Sequence, residues 1–326
     1  MTVRWPRLFL ALSLLSVLMA IASLDAGHVA STRGVYSVPR TPWGDPDLQG
    51  AYTNSAERLT PMERPDSFAG RKLSDITTAE LTRLNKKRLA TSAPNEPGFH
   101  DSVDGTPWSS RAWLILDPDD GKIPSLTANA KSRMAARADA RRRRGAADSW
   151  TDFDLFSRCI TRGVPNSMMP VIYGNTYEIV QAPGSVAIMH EMIHDTRVIP
   201  LDERPHVGPM VRSYLGDSRG YFDGLDLVIE TTNFSSETSF LGSSQNLQLT
   251  ERITPISDDI LEWRVTVLDP ETWTRPWTFA MNLTRSNARP LEYACHEGNY
   301  FLRHALSAEP RTEQSNEFAS NVVNRR

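Results

Sequence analysis

A chain of 326 residues can bury a sizeable core and exceeds the usual size of one domain, so one large or two smaller domains are expected. Hydrophobic residues make up 40% and charged residues 23%, an ordinary globular balance, and the formal net charge of −3 gives no global attraction to nucleic acid or an anionic membrane. Eight tryptophans and 22 prolines argue against a helical bundle and for a loop-rich, β-rich protein.

In chain order, Arg4 and Arg7 precede a nearly unbroken apolar run from Leu8 to Ala22, and Ala20-Ile21-Ala22 offers a small-residue cleavage signal. That layout assigns residues 1–30 to a secretory signal peptide, because a run of about 15 residues is short for a membrane span. The chain is therefore expected in the periplasm or secreted, with no stable membrane insertion once the signal is removed. Residues 31–150 read as an extended and helical N-terminal region. It opens on Pro- and Gly-rich stretches such as "VPRTPWGDPDLQGAY". A helix follows near 74–93, with Thr77 and Glu80 spaced as a capping box. "RAWLILDPDDGKIPSL" suggests a short buried strand closed by a tight turn, and "TANAKSRMAARADARRRRGAAD" a second helix capped by Thr127. Its arginine run, Arg141 to Arg144, suits a solvated helix C-terminus.

From residue 151 to 306 the pattern becomes β-branched and alternating: "NTYEIVQA", "SVAIMHEMIHDTRVI", "DLVIETTNF", "NLQLTERITPI", "ILEWRVTVLD", "WTFAMNLTR" and "LEYACHE". Turn signals separate them, Asp-Ser-Arg-Gly at 217–220 among these. Strands at this spacing without helices between them predict a mainly β fold, an antiparallel β-barrel or sandwich, rolled around an apolar core or a ligand cavity. A lipocalin-like barrel is one such arrangement. Residues 307–326 read as a disordered tail.

The two cysteines, Cys159 and Cys295, are expected to form a disulfide in an oxidising compartment. The rival is a catalytic thiol at Cys159, with Arg158 and Arg162 beside it to lower its pKa.

His190-Glu191-Met192-Ile193-His194 matches the H-E-x-x-H pattern of zinc hydrolases, which works only on a helix. Pro183-Gly184 before it, Pro200 after it and the β-branched content between predict one extended strand over Ala187–Ile199. On such a strand His190, Met192 and His194 share one face, while Glu191, Asp195 and Arg197 share the other. The two imidazoles would then stand about 13 Å apart, too far for one metal. Zinc bound by His190 and His194 is retained as a minor alternative, with no cofactor as the main expectation. "GDSRG" fits a bare nucleophile-elbow pattern around Ser218, with Asp195 and His194 as partners, but a second strand rather than a helix follows, and a hairpin is expected. No glycine-rich phosphate loop follows a strand, which disfavours nucleotide cofactors.

The blocks "TPWGDPDLQGAY", "RCITRG", "EMIHDTRVIPLD", "GDSRGYFDGLDLVIETTNF", "DPETWTRPW" and "YACHEGNY" spread over most of residues 41–300. Through them the chain resembles a family of uncharacterised exported bacterial proteins. The resemblance implies export and a β-rich fold. It also implies that Glu191, His194, Asp195 and Arg197 are typical of the family while the position of His190 need not be histidine, and it carries no activity.

The remaining candidates are side chains with acid–base or stacking chemistry. Glu191, His194, Asp195 and His296 are the expected proton-transfer groups of a small-molecule lyase, isomerase or hydrolase. Arg197 and Arg275 are the expected anion or carbonyl anchors. An Asp195–Arg197 ion pair is the structural alternative. Trp273, Arg275 and Trp277 fall at alternate positions, so a strand would bring them together as a stacking platform for a sugar or aromatic ring. The primary expectation is thus an exported enzyme with its site in a barrel cavity. The second is a non-catalytic periplasmic protein that binds a small-molecule ligand against the tryptophans, and neither involves nucleic acid.

Overall fold

The structure is a computed structural model and describes residues 37–92, 109–144 and 147–307. The expected signal peptide and nearly all of the expected tail lie outside the described residues. Ten strands and two long helices follow in order. They are β1 (Gly50–Thr53), α1 (Thr78–Ser92), β2 (Ile115–Asp117), α2 (Ala128–Arg142), β3 (Thr176–Ala182), β4 (Ser185–His190), β5 (Thr196–Pro200), β6 (Asp217–Asp223), β7 (Asp226–Thr232), β8 (Gln248–Ser257), β9 (Ile260–Leu268) and β10 (Trp277–Arg285).

Nine strands pair in the order β5-β4-β3-β1-β10-β9-β8-β7-β6, every ladder antiparallel, and β2 adds to β10. From β3 to β10 the chain is a meander in sequence order. The short β1 lies between the first and last strands of that meander, pairing Tyr52 with both Arg285 and Tyr177. β5 and β6 complete the ring by packing without a ladder, and a Cβ on Gly220 of β6 would meet the side chains of Ile199 and Leu201 at 2.8 and 2.9 Å. The result is a nearly closed antiparallel barrel. All described residues fall in one compact unit, and β1 and β2 belong to the barrel sheet, so no domain boundary falls at 150.

Alternation explains why these segments are strands. Leu249, Glu251 and Ile253 of β8, Leu261, Trp263, Val265 and Val267 of β9, and Trp277, Phe279, Met281 and Leu283 of β10 are buried on one face. Bulky rings occupy the interior: Trp263 meets Phe279 edge-on at 5.7 Å, and Phe240 stacks on Trp277 at 5.9 Å. Each such side chain contributes about 1.5–3 kcal/mol by leaving water.

Both helices start at the expected caps, with the Glu80 amide donating to Thr77 Oγ1 at 3.2 Å and the Ala130 amide to Thr127 Oγ1 at 3.1 Å. The arginine run at the C-terminus of α2 stays in solvent, where Arg141 and Arg144 reach Asp152 at 2.9 and 3.1 Å.

Three strand expectations need correction. The segment 187–199 is a hairpin, not one strand: the His190 amide donates to the Asp195 carbonyl at 2.8 Å, and residues 191–194 form its turn. Asp217–Gly220 is the start of β6, and the turn falls at Asp223–Asp226 instead. "YACHE" is irregular, because it is a connection to a helical segment at 300–307.

Candidate functional site

Four features converge at the end of the barrel where β3 begins and β4 ends. They are the approach segment 147–175, the turn 191–194, the loop after β7, and the C-terminal segment from about residue 290. A disulfide joins Cys159 of the first to Cys295 of the last, with a Cα–Cα distance of 5.7 Å, which removes the catalytic-thiol alternative. The Asn299 amide reinforces the link by donating to the Ser157 carbonyl at 3.0 Å. Phe153 meets Phe301 edge-on at 5.6 Å, and Tyr173 stacks on Tyr293 at 6.5 Å.

The first three of these elements, with Arg137 of α2, line a cleft of about 790 Å³, within the range of small-molecule sites. Phe153, Phe156, Ile172, Tyr173 and Met192 supply apolar and aromatic walls. Arg137, Asp154, Arg158, Arg162 and Glu237 supply charge. Arg158 pairs with Glu237 at 3.2 Å and lies over the Trp150 ring, 4.4 Å from its centroid. Arg162 donates to the Met169 carbonyl at 3.5 Å. Burial pushes its guanidinium pKa down, while Tyr177, Tyr293 and Tyr173 draw it back up.

Inside the barrel, below this cleft, Arg197 of β5 forms a two-pronged ion pair with Glu251 of β8, with Nη2–Oε1 at 3.1 Å. Glu251 also accepts from Trp263 Nε1 at 3.0 Å. Both charged groups are almost wholly enclosed, Arg197 at 3% and Glu251 at 0% exposure. Next to them His190 presents Nδ1 to the Asp195 carbonyl at 3.1 Å, so that nitrogen carries the proton. Burial first, then the Arg197 charge, pushes the His190 pKa down to about 3.

The sequence-derived site residues are dispersed. Arg197 points inward as expected, but its partner is Glu251 rather than Asp195. Asp195 instead accepts from Thr161 Oγ1 at 2.5 Å, and burial raises its pKa. His190 shares the inner face with Arg197, because the turn reverses the alternation expected of a single strand. His194 is exposed and Glu191 half-buried, both within the turn. His296 is exposed beside the disulfide. None of Glu191, His194, Asp195 and His296 is among the side chains lining the cleft.

With His190 buried and His194 exposed at the two sides of a tight turn, the helical face required by the zinc-hydrolase pattern is missing. Ser218 is buried and hydrogen-bonded to Thr231 Oγ1 at 2.9 Å, as a strand residue and not as a nucleophile elbow. The tryptophan platform is corrected as well. Trp273 and Trp277 are core, edge to face at 5.6 Å, whereas Arg275 is exposed and pairs with Asp117 at 2.9 Å. Residues 269–276 form a turn organised by Asp269, so alternate positions there do not share a face.

No family model matches the chain, and a search of curated proteins finds no match. Among solved structures the chain is similar to a secretary abundant heat soluble (SAHS) protein from Ramazzottius varieornatus. Identity is 14% and the TM-score 0.24, over 41% of this chain and 87% of that one. It is also similar to a variant of the fluorescent protein UnaG, at 16% identity and a TM-score of 0.22, over 41% and 86%. The protein is an antiparallel β-barrel by its own strand order and register, with a disulfide-braced cleft at one mouth.

Proposed function

We propose that the protein is an exported, non-catalytic binding protein that holds a small molecule in the mouth cleft. The observation that carries this reading is the cleft itself: aromatic and apolar walls with a mixed set of charged side chains, built from loops and a helix at the barrel end, one of the loops being tied down by a disulfide. The barrel interior below is occupied by Trp263, Trp277 and Phe279, so a ligand rests on the barrel rather than inside it. Binding is favoured over turnover because the expected proton-transfer side chains do not line one enclosure. A bridged cysteine pair supports the oxidising compartment that export would provide.

A thermal-shift panel of sugars, aromatic compounds and sterol-like compounds tests the proposal. A ligand at 100 times its Kd adds about 2.7 kcal/mol of stability by mass action. The bulky variant Thr238→Trp, which fills the cleft, should abolish the shift. A shift that survives this substitution would place the ligand elsewhere and end the reading.

A further inference from the structure

Among the described residues, the half-buried Arg64, Arg88, Arg133 and Arg212 donate to neutral oxygens, as Arg162 does, and of these five Arg162 alone lines the cleft. Other arginines are paired with carboxylates: Arg197 with Glu251, Arg111 with Glu262 at 2.5 Å, and Arg158 with Glu237. Arg137 is exposed and needs none. Arg162 is half-buried in the cleft wall, and its hydrogen bond to Met169 is a long contact to a carbonyl. Asp195 accepts from the Thr161 hydroxyl, and among the described residues no ion pair joins a carboxylate to Arg162. The groups that face Arg162 electrostatically are Tyr173, Tyr177 and Tyr293, all neutral at physiological pH.

A guanidinium removed from bulk water without a counter-charge is costly, and the cost falls when an anion arrives. Its planar fork of donors matches a carboxylate in two-pronged fashion. The surroundings restrict the rest of that anion. Phe153, Phe156 and Tyr173 offer ring faces and edges, and Ile172 and Met192 offer aliphatic surface. Three arginines and two carboxylates, Asp154 and Glu237, line the cleft, a net charge that suits a monoanion better than a dianion.

We propose that Arg162 is the anion anchor of the cleft, receiving the carboxylate of an aromatic monocarboxylic acid whose ring lies against Phe153, Phe156 and Tyr173. The inference rests on the binding reading above and adds the ligand class and the residue that selects it. Tyr173 and Tyr293, stacked on each other and facing Arg162, are positioning residues that keep water from the anchor.

The test compares 2-naphthoate with its neutral near-isostere 2-naphthamide by calorimetric titration of the full, disulfide-bonded chain. Wild type should bind the acid at least tenfold more tightly than the amide. Arg162→Gln should remove that preference while leaving amide affinity within about twofold, which also shows that the variant is folded. Arg162→Lys should retain part of the preference, since it keeps the charge but loses the fork. Equal binding of acid and amide to wild type, both lost in Thr238→Trp, would overturn the anchor and leave the cleft reading standing. An acid preference that survives Arg162→Gln would overturn the anchor too. Binding of both probes that Thr238→Trp does not disturb would overturn the anchor and the cleft reading together. Failure of both probes to bind wild type would overturn the proposed ligand class.

Discussion

Glu251 and Arg197 show what a buried charge pair asks of its neighbours. Glu251 accepts from the guanidinium and from the Trp263 indole, so either partner alone would leave a charge in an apolar interior. Arg197→Met is therefore expected to cost about 3–5 kcal/mol in urea unfolding, and Arg197→Met combined with Glu251→Met to recover most of that loss. His190 acts in the opposite sense, since it is held neutral. Its pKa is lowered to about 3 in the folded state against about 6.5 unfolded. Its contribution to stability is complete above about pH 6.5. As pH falls from there toward 3 the unfolded chain takes up a proton that the folded chain refuses, at about 1.4 kcal/mol per unit. His190→Asn, which keeps a donor for the Asp195 carbonyl, should flatten the stability profile between pH 6.5 and 4. Urea midpoints at three pH values measure this, and an unchanged slope would count against the assignment. Asp195, with its pKa raised by burial, works against this trend at the acid end, so the comparison must be variant against wild type.

Among elements, the β4–β5 hairpin was the least legible from sequence. Its four-residue turn carries no Gly, Asn or Pro, and Ile193 and His194 adopt φ of 64° and 57°. Those values cost roughly 1–2 kcal/mol per residue outside glycine. Local propensity favoured continuing the strand, and the tertiary fold overrode it. His194 is exposed, so His194→Gly should raise stability by about 0.5–1 kcal/mol after glycine's own entropic cost. Ligand binding should be unchanged in that variant, and a loss of binding would restore His194 to the site. By contrast β8, β9 and β10 were readable because buried positions recur at every second residue along most of each strand. Glu251 left a signal too, as a carboxylate between Leu249 and Ile253 on the buried face of a strand. Arg162 left none of that kind. Its role comes from the carboxylate it lacks, and that depends on which distant segments fold against it.

For the molecule as a whole, the cysteine pair was legible from its count, while the cleft was not, since α2, residues 151–173, the turn at Met192 and the loop after β7 build it from separate parts of the chain. The bridge spans 136 residues and ties the approach segment to the C-terminal one. Its removal in Cys159→Ser combined with Cys295→Ser should cost about 2–5 kcal/mol, read as a lowered thermal midpoint. Affinity for cleft ligands should fall as well, because Tyr293, which stacks on the cleft residue Tyr173, is carried on the released segment. A variant with full stability and affinity would show that the brace is dispensable.

The placement of β1 has a consequence for how the chain is made. Tyr52 receives a hydrogen bond from Arg285, 233 residues later, and β1 pairs with both β3 and β10. The first strand to be synthesised is thus among the last that can be seated, because its slot exists only after the tenth has been delivered. Ring closure of such long reach is slow in general. The barrel therefore cannot lock shut before β10 arrives, and a chain interrupted ahead of Trp277 would leave β1 without one of its two neighbours.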